Sequence, residues 1–285
     1  MNDSLGDRIK GNYEARARHY LTRRTPVVIR VDGRAFHTYT QGFKRPFDGR
    51  IIDAMVIAAT QVYTEMQGCK MAYIQSDEVS FVLTDYDGLN TEAWFDYCQN
   101  KIESISAALM SVAFHKAMRL ANHKELVVFD ARAFNIPESE VANYFLWRAK
   151  DWLRNSVQML AQSVFSHKEL QGLNIRECLG LLRSRGHDWD ELLEDEKYGT
   201  FIAGTGNLMQ EHSIEATFKE INALWETVCP KDTLTPNLTT APAINARQSS
   251  TKNASASRKR SSAKTPTASD AGSAPRKAAT RRSLI

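Results

Sequence analysis

Two aspartates follow apolar segments of strand length, and a carboxylate is the side chain that hard metal ions prefer. Asp32 ends the β-branched run Pro26–Asp32 (PVVIRVD). Asp77 lies in the middle of residues 70–84 (KMAYIQSDEVSFVLT), which read as two strands joined by a tight turn. In a β-α-β-β unit the first and third strands are neighbours, so the end of the first strand meets the hairpin turn. We therefore expect the two carboxylates to converge.

A convergent carboxylate pair suits Mg²⁺, which takes few protein ligands and completes its octahedron with water and phosphate oxygens. Two such ions stabilise the attacking and leaving oxygens of an in-line phosphoryl transfer. The competing interpretation is structural, because Asp followed by Gly, as at Asp32, is a common turn signal. The turn interpretation is favoured for a single Asp, and for the two together the interpretations are evenly balanced.

The elements around these aspartates can be read from apolar periodicity. Asp48 is suited to cap a helix that stops near Gly68. A second helix is predicted to open at Asn90 or Thr91, a strand at Leu126–Arg132, and a third helix from near Pro137 to about Phe165. The second helix has its apolar positions on one face, namely Phe95, Cys98, Ile102, Ile105, Leu109 and Val112.

The resulting order, β-α-β-β-α-β, predicts an α+β fold: a ferredoxin-like core whose antiparallel sheet carries helices on one face, with additional C-terminal helices. Nucleotide polymerases and cyclases use this topology as their palm. The topology hosts many activities, so it does not establish a function by itself.

Composition divides the chain into a folded part, residues 1–230, and a tail, residues 231–285. The tail is rich in Ser, Thr and Ala and has eleven Lys and Arg against two Asp and Glu, so it carries about +9 and leaves about −5 on the remainder. With almost no large apolar side chains, it is predicted to be disordered.

The rest of the composition points to a cytoplasmic protein. No apolar run reaches the length of ~18–20 residues that a membrane span requires, and the charged N-terminus has no apolar leader core. The four cysteines are far apart and form no metal-binding pair or dense disulfide framework.

Four motifs in order resemble the tRNA-His guanylyltransferase family of 3′-to-5′ polymerases. RVDGRAFHTYT at Arg30–Thr40, with FKRPFD at Phe43–Asp48, is similar to its first signature, and YIQSDEVSFVL at Tyr73–Leu83 to its second. FDARAFNIP at Phe129–Pro137 and YFLWRAKDWLRN at Tyr144–Asn155 match later blocks. The resemblance covers roughly residues 5–200, and it rests on ordered motifs that would each be weak alone.

The resemblance implies a role for each matching position. Asp32 and Asp77 would bind two Mg²⁺ ions, with the Gly33 carbonyl as a further ligand, and Glu78 would support them. The loop Gly33, Arg34, Ala35, Phe36 and His37 would wrap the triphosphate of ATP or GTP with backbone N–H groups. Lys44 or Arg45 would neutralise a phosphate, and Ser76 would donate to a phosphate or shape the turn. The remaining polar residues implied to line the site or the RNA path are Arg132, Arg148, Lys150, Arg154 and Asn155.

One departure bears on the substrate. Members that act specifically on tRNA-His carry His-Ile-Asn-Asn where this chain has Leu153, Arg154, Asn155 and Ser156. The chain is in this respect similar to the bacterial and archaeal Thg1-like branch, which repairs truncated tRNA 5′ ends by templated addition. By the same resemblance we expect a tRNA or similar structured RNA as partner, and a homotetramer.

Two other functions stay open at this point. A nucleotide cyclase or related palm enzyme would use the same two aspartates without nucleic acid. A non-catalytic RNA-binding module would make the Asp pair incidental and would bind no nucleotide with Mg²⁺.

Overall fold

The computed structural model describes residues 4–120, 125–205, 208–212 and 217–230. All of these residues belong to one compact unit. The basic tail at residues 231–285, predicted to be disordered, lies outside the described residues, and so does the predicted domain boundary.

The centre of the molecule is a six-stranded antiparallel sheet in the order β4-β1-β3-β2-β5-β6. Its strands are β1 (Val27–Gly33), β2 (Cys69–Gln75), β3 (Glu78–Leu83), β4 (Phe129–Asn135), β5 (Thr200–Thr205) and β6 (Leu208–His212). β1 and β3 are neighbours in this sheet. The expected convergence of Asp32 and Asp77 requires this arrangement. The mixed helix and antiparallel-sheet class is therefore confirmed.

Helices precede, connect and follow these strands. The α-helices are α1 (Ser4–Ile9), α2 (Phe36–Tyr39), α3 (Gly49–Glu65), α4 (Gln99–Leu120), α5 (Val141–Val164), α6 (His167–Leu170), α7 (Ile175–Ser184), α8 (Glu194–Tyr198) and α9 (Phe218–Val228). Counted from β1 to β4, the long helices α3 and α4 alternate with strands in the order β-α-β-β-α-β.

Strand alternation in β1 separates two hydrophobic cores. Val27, Ile29 and Val31 point to one face, where they pack with α3 and α4. Val28 points to the other face, where it packs with residues of α5 and α9. The core helices α3 and α4 thus lie on one face of the sheet, and the additional C-terminal helices α5 and α9 cover the second face.

Both ends of α3 follow the sequence signals. The Asp48 carboxylate accepts a hydrogen bond from the Arg50 N–H and caps the first turn. Gly68, at φ +80°, lies three residues beyond the end of the helix, and a Cβ there would come within 2.2 Å of the Thr84 carbonyl oxygen. Glycine is thus required where the chain turns from α3 into β2.

The predicted start of the second helix at Asn90 or Thr91 was wrong, since α4 begins at Gln99. The Arg23 and Arg24 side chains donate to backbone carbonyls of this segment, including that of Thr91, and hold it as a loop. Just before α4, residues 95–97 have positive φ and cannot continue a helix. Local apolar spacing could not reveal these distant hydrogen bonds.

A smaller helical layer extends from the C-terminal half of α5. Leu160, Cys178 and Trp189 are buried together there, which joins α5 to α7 and to the turn before α8. This layer brings the chain back through Gly199 to β5, beside the β2–β3 turn. No helix of the described residues is long and apolar enough to cross a membrane.

Candidate active site

Asp32 and Asp77 are brought together by the end of β1 and the β2–β3 turn. The Gly33 N–H donates to the Asp77 backbone oxygen at 3.1 Å. A Cβ built on Gly33 would lie 3.2 Å from Asp77 Oδ2 and 2.7 Å from Phe36 Cδ2. Only glycine lets the Asp77 carboxyl approach the β1 backbone this closely.

The pKa values of both carboxyl groups are raised. Burial is the main cause at Asp77, and the nearby charge of Asp32 adds to it, so the Asp77 pKa rises to about 6. Burial and the charge of Asp130 raise the pKa of Asp32. The charges of Arg132 and Arg30 oppose this rise in the pKa of Asp32, although the ion pairs of these arginines are with Asp130 and Glu78. A partly buried, like-charged pair of this kind attracts a cation.

The Glu78 carboxylate is bound by Arg148 and does not project freely toward Asp32 and Asp77. It lies opposite Asp32 in the sheet, and Arg148 of α5 binds it through two hydrogen bonds of 2.7 and 2.8 Å. Arg148 is itself buried and also bonds to Asp151 at 3.3 Å. Glu78 thus fixes the turn that carries Asp77, and Arg148, which was expected to line the site or the RNA path, lines the smaller cavity beside it.

Two cavities meet at the carboxylate pair. The larger has a volume of about 590 Å³ and the smaller about 350 Å³. The wall that belongs to both is formed by Asp32, Gln75, Ser76, Asp77, Trp152, Met159 and Gln162. Groups bound in the two cavities would therefore approach the same two carboxylates from different sides.

The loop predicted to wrap a triphosphate lines the larger cavity, but not all of its amides are available. The Gly33 N–H is bonded to Asp77, and the Arg34 N–H donates to the Val128 carbonyl at 2.9 Å. Ala35 has φ +52° and starts the short helix α2, while Phe36 is buried in the core behind it. The backbone N–H groups of Ala35, Phe36 and His37 donate to no backbone carbonyl in the described residues. These three amides of the loop are therefore available to a ligand. The exposed Arg34 side chain lines neither cavity.

The segment before α3 supplies the positive charge of the larger cavity. Lys44 and Arg45 both line it, and their segment is anchored by the Lys44 N–H bond to Asp48 at 2.9 Å. Arg50 donates to the same carboxylate at 2.7 Å and lies over the Phe43 ring. The lowered pKa of Asp48, caused chiefly by Arg50, keeps this anchor charged.

Sequence reasoning missed most of the wall contributed by the C-terminal half of the chain. α5 supplies Trp152, Met159 and Gln162, and the segment after α7 supplies Gly199 and Thr200. Trp152 lies within the Tyr144–Asn155 motif but was assigned no role, and the other four residues lie outside the quoted motifs. Of the basic and amide residues expected at the site or RNA path, Asn155 lines the smaller cavity, Lys150 is exposed and Arg154 pairs with Asp151.

The residues present fit a divalent cation that keeps most of its own waters. Among the described residues, no group of three or more His, Cys, Asp or Glu side chains is placed to hold a metal, which argues against a closed protein cage. Mg²⁺ is instead bound through one or two carboxylates plus phosphate oxygens. Asp32 and Asp77 supply that number beside a cavity lined by Lys44 and Arg45.

Comparison with known proteins identifies the family. Residues 7–137 match the family model of tRNAHis guanylyltransferase. A bacterial tRNA(His) guanylyltransferase (Thg1)-like protein solved with ATP is 38% identical, with 79% of this chain and 97% of that chain covered and a TM-score of 0.72. One solved with GTP is 35% identical, covering 80% and 100% of the two chains, with a TM-score of 0.69.

A more distant relative agrees with this assignment. The tRNA(His) guanylyltransferase of Debaryomyces hansenii is 31% identical over 145 residues, which is 47% of this chain and about half, 52%, of the yeast protein. The two bacterial structures carry the identification, since each is at least 35% identical over 79–80% of this chain. The chain belongs to the tRNAHis guanylyltransferase family of nucleotidyltransferases.

Proposed function

We propose that this protein adds nucleotides in the 3′-to-5′ direction to the 5′ end of a tRNA, using the opposing strand as template. The observation that carries the proposal is the convergence of Asp32 and Asp77, neither of which forms an ion pair within the described residues, at the junction of two cavities. A reaction that joins a nucleotide to a polynucleotide end needs two substrates beside one set of metal-binding groups. The sheet order further supports a polymerase-palm-like use of this edge.

Asp32 and Asp77, with the Gly33 carbonyl, would hold two Mg²⁺ ions. When bound, the ions supply charge stabilisation for the attacking and leaving oxygens. The protein contributes position: Gly33 allows the close approach of Asp77, and Arg148 fixes the turn through Glu78. Such positioning and charge neutralisation account for most of the catalysis in phosphoryl transfer, so no Ser or Cys nucleophile is required.

The larger cavity would receive the incoming nucleoside triphosphate. Lys44 and Arg45 would neutralise its phosphates, and the amides of Ala35, Phe36 and His37 would donate to them. Ser76, at the turn between the two cavities, forms a side-chain hydrogen bond with Asp77, and it would either shape the turn in this way or donate to a phosphate. ATP and GTP are the nucleotides of the two similar bacterial structures, which supports both as ligands here. The 5′ end of the RNA would be activated as a triphosphate or by adenylylation with ATP. The 3′-hydroxyl of the bound nucleotide would then attack the 5′ phosphorus of the RNA, lose its proton to water and displace pyrophosphate or AMP as the new phosphodiester bond forms.

The RNA substrate is a tRNA with a shortened 5′ end. This choice rests on the Leu153, Arg154, Asn155 and Ser156 segment, which lacks the His-Ile-Asn-Asn stretch of dedicated tRNA-His enzymes. Residues 231–285 would add sequence-independent affinity through clusters such as Arg258-Lys259-Arg260. A cytoplasmic location and a homotetramer complete the proposal.

An extension assay tests the function directly. Purified protein is incubated with Mg²⁺, labelled ATP or GTP and tRNA transcripts that lack one or two 5′ nucleotides, with the opposing base varied. We expect label to be incorporated at the 5′ end and to follow the opposing base. Deletion of residues 232–285 should weaken RNA binding at low salt while preserving turnover at saturating RNA. Conversion of free ATP or GTP to a cyclic product without RNA would favour a cyclase and contradict the proposal.

A further inference from the structure

Two polar side chains in the wall between the cavities each contain a buried atom that has no hydrogen-bond partner in the described part of the chain. Gln75 and Trp152 are 4% and 5% exposed, and both line both cavities. Gln75 Oε1 and Trp152 Nε1 have no partner among the described residues. A buried donor or acceptor without a partner destabilises the fold by about 1–3 kcal/mol. Two such groups in the wall shared by both cavities therefore require an explanation.

The surroundings of these groups do not provide a structural role for them. The amide nitrogen of Gln75 donates to Glu78 Oε1 at 3.2 Å, which orients the side chain and leaves its oxygen unused. The Trp152 ring packs edge-on against Phe47 at a centroid distance of 6.1 Å, an apolar contact that makes no use of the indole N–H. By contrast, the N–H of Trp189 donates to Ser156 at 3.0 Å.

We propose that Gln75 and Trp152 bind the ribose hydroxyls of the incoming nucleotide and thereby select ribonucleotides over deoxyribonucleotides. Gln75 Oε1 accepts from one hydroxyl, and Trp152 Nε1 donates to a hydroxyl oxygen. Both atoms are enclosed by neighbouring protein atoms, so the proposal requires each side chain to turn toward the cavity when the nucleotide enters, and Gln75 to release or re-form its bond to Glu78.

The position of the pair favours the sugar over the base or the phosphates. Gln75 lies two residues before Asp77, in the wall that also contains Asp32. The attacking group in the proposed reaction is the 3′-hydroxyl, so the ribose must lie beside these carboxylates. A hydroxyl both donates and accepts, which matches one unused acceptor and one unused donor. Neither side chain carries a positive charge that would direct it to phosphate.

The test compares ATP, 2′-deoxyATP and 3′-deoxyATP in equilibrium binding with Mg²⁺ to the full chain and to two variants. Trp152→Phe removes the indole N–H and keeps the aromatic contact, while Gln75→Met removes the acceptor at similar volume. Each variant should bind ATP about five-fold more weakly, the effect of one lost neutral hydrogen bond. For one of the two deoxy analogues, the ratio of its dissociation constant to that of ATP should also fall about five-fold in each variant.

Trp189→Phe provides the matched control, because it makes the same chemical change at a buried tryptophan that lines neither cavity. It should leave nucleotide discrimination unchanged and lower the melting temperature, since it removes a hydrogen bond that is made. Trp152→Phe should leave the melting temperature unchanged or raise it, because it removes a buried donor without a partner.

The inference rests on the proposed function, and the experiment separates their failures. If the unaltered protein binds no nucleotide with Mg²⁺, the proposed function itself is wrong. If it binds ATP but does not distinguish the deoxy analogues, or if both variants retain full discrimination, the roles of Gln75 and Trp152 are refuted. A melting temperature lowered equally by Trp152→Phe and Trp189→Phe would also refute them, since it would show that the Trp152 N–H already has a partner.

Discussion

The two ends of the central sheet treat their carboxylates differently. At the end where β3 finishes, the fully buried Asp85 accepts hydrogen bonds from the Arg23 side chain and from the Arg24 N–H at 2.8 Å, and the nearby Asp87 pairs with Lys70 at 2.6 Å. At the end where β1 finishes, Asp32 and Asp77 lie near each other without such pairing in the described residues. The first end is neutralised internally, whereas the second leaves negative charge for a ligand.

This difference indicates that carboxylates at one end of the sheet stabilise the fold, whereas those at the other end are available to bind a ligand. Removing a cationic partner from a buried carboxylate destabilises the folded protein, because the remaining buried charge is then uncompensated. Two converging carboxylates that form no ion pair disfavour each other's charged forms, and this free-energy cost persists until a cation binds. The Glu78–Arg148 ion pair resembles the first end in being neutralised within the protein, but it lies at the second end, beside Asp32 and Asp77.

The largest expected effect is on catalysis at the unpaired end. Asp77→Asn should lower turnover by at least about 1,000-fold, because the metal-dependent stabilisation of the transition state is worth several kcal/mol. Single-turnover extension of a 5′-truncated tRNA measures this loss. The control Asp190→Asn, an exposed carboxylate outside both cavities, should keep normal turnover. Normal activity in Asp77→Asn would reject the metal-binding assignment.

The second effect concerns the clamp between α5 and the turn. Arg148→Met leaves the Glu78 carboxylate buried without its main partner and should lower the free energy of unfolding by about 3–5 kcal/mol. The double variant Arg148→Met, Glu78→Gln removes the uncompensated charge and should recover part of this loss. Urea denaturation of both variants measures the difference. Equal destabilisation in the two variants would show that Arg148 acts by packing rather than by pairing with Glu78.

The third effect is a loss of stability at the neutralised end. Asp85→Asn removes the charge that receives Arg23 and should lower the free energy of unfolding by about 1.5–3 kcal/mol, the usual range for hydrogen bonds to a charged group. Urea denaturation checks this value, and extension assays at a temperature well below unfolding should show normal turnover. A catalytic loss comparable to that of Asp77→Asn would remove the distinction between the two ends.

The smallest effect is a gain in stability that depends on pH. The Asp77 pKa rises from 3.8 to about 6 on folding, mainly through burial and then through Asp32. The folded state therefore binds more protons between these values, and the free energy of unfolding falls as the pH rises through that window. Without divalent metal, Asp77→Asn should be more stable than the unaltered protein by on the order of 1 kcal/mol at pH 8. The two should converge near pH 4, and a constant difference across this range would contradict the shifted pKa.

Local signals in the sequence were sufficient for the parts of the fold that depend on neighbouring residues. The β-branched run before Asp32, the cap at Asp48 and the turn at Ser76-Asp77 each act over a few residues, and together they define a β-α-β-β unit. The first and third strands of such a unit are neighbours, which predicts that Asp32 lies near Asp77. The start of α4 was misplaced because Arg23 and Arg24 determine it from about 70 residues away.

The sequence by itself determined that two carboxylates would meet at one edge of the sheet, because strand alternation and a short turn leave them little freedom. Only the tertiary structure decided what surrounds them. The side of the sheet that α5 covers depends on apolar contacts between distant segments, and these place Arg148 on Glu78 and Trp152 in the cavity wall. No local pattern records such contacts, since their free energy arises from burial that exists only once the whole chain has packed.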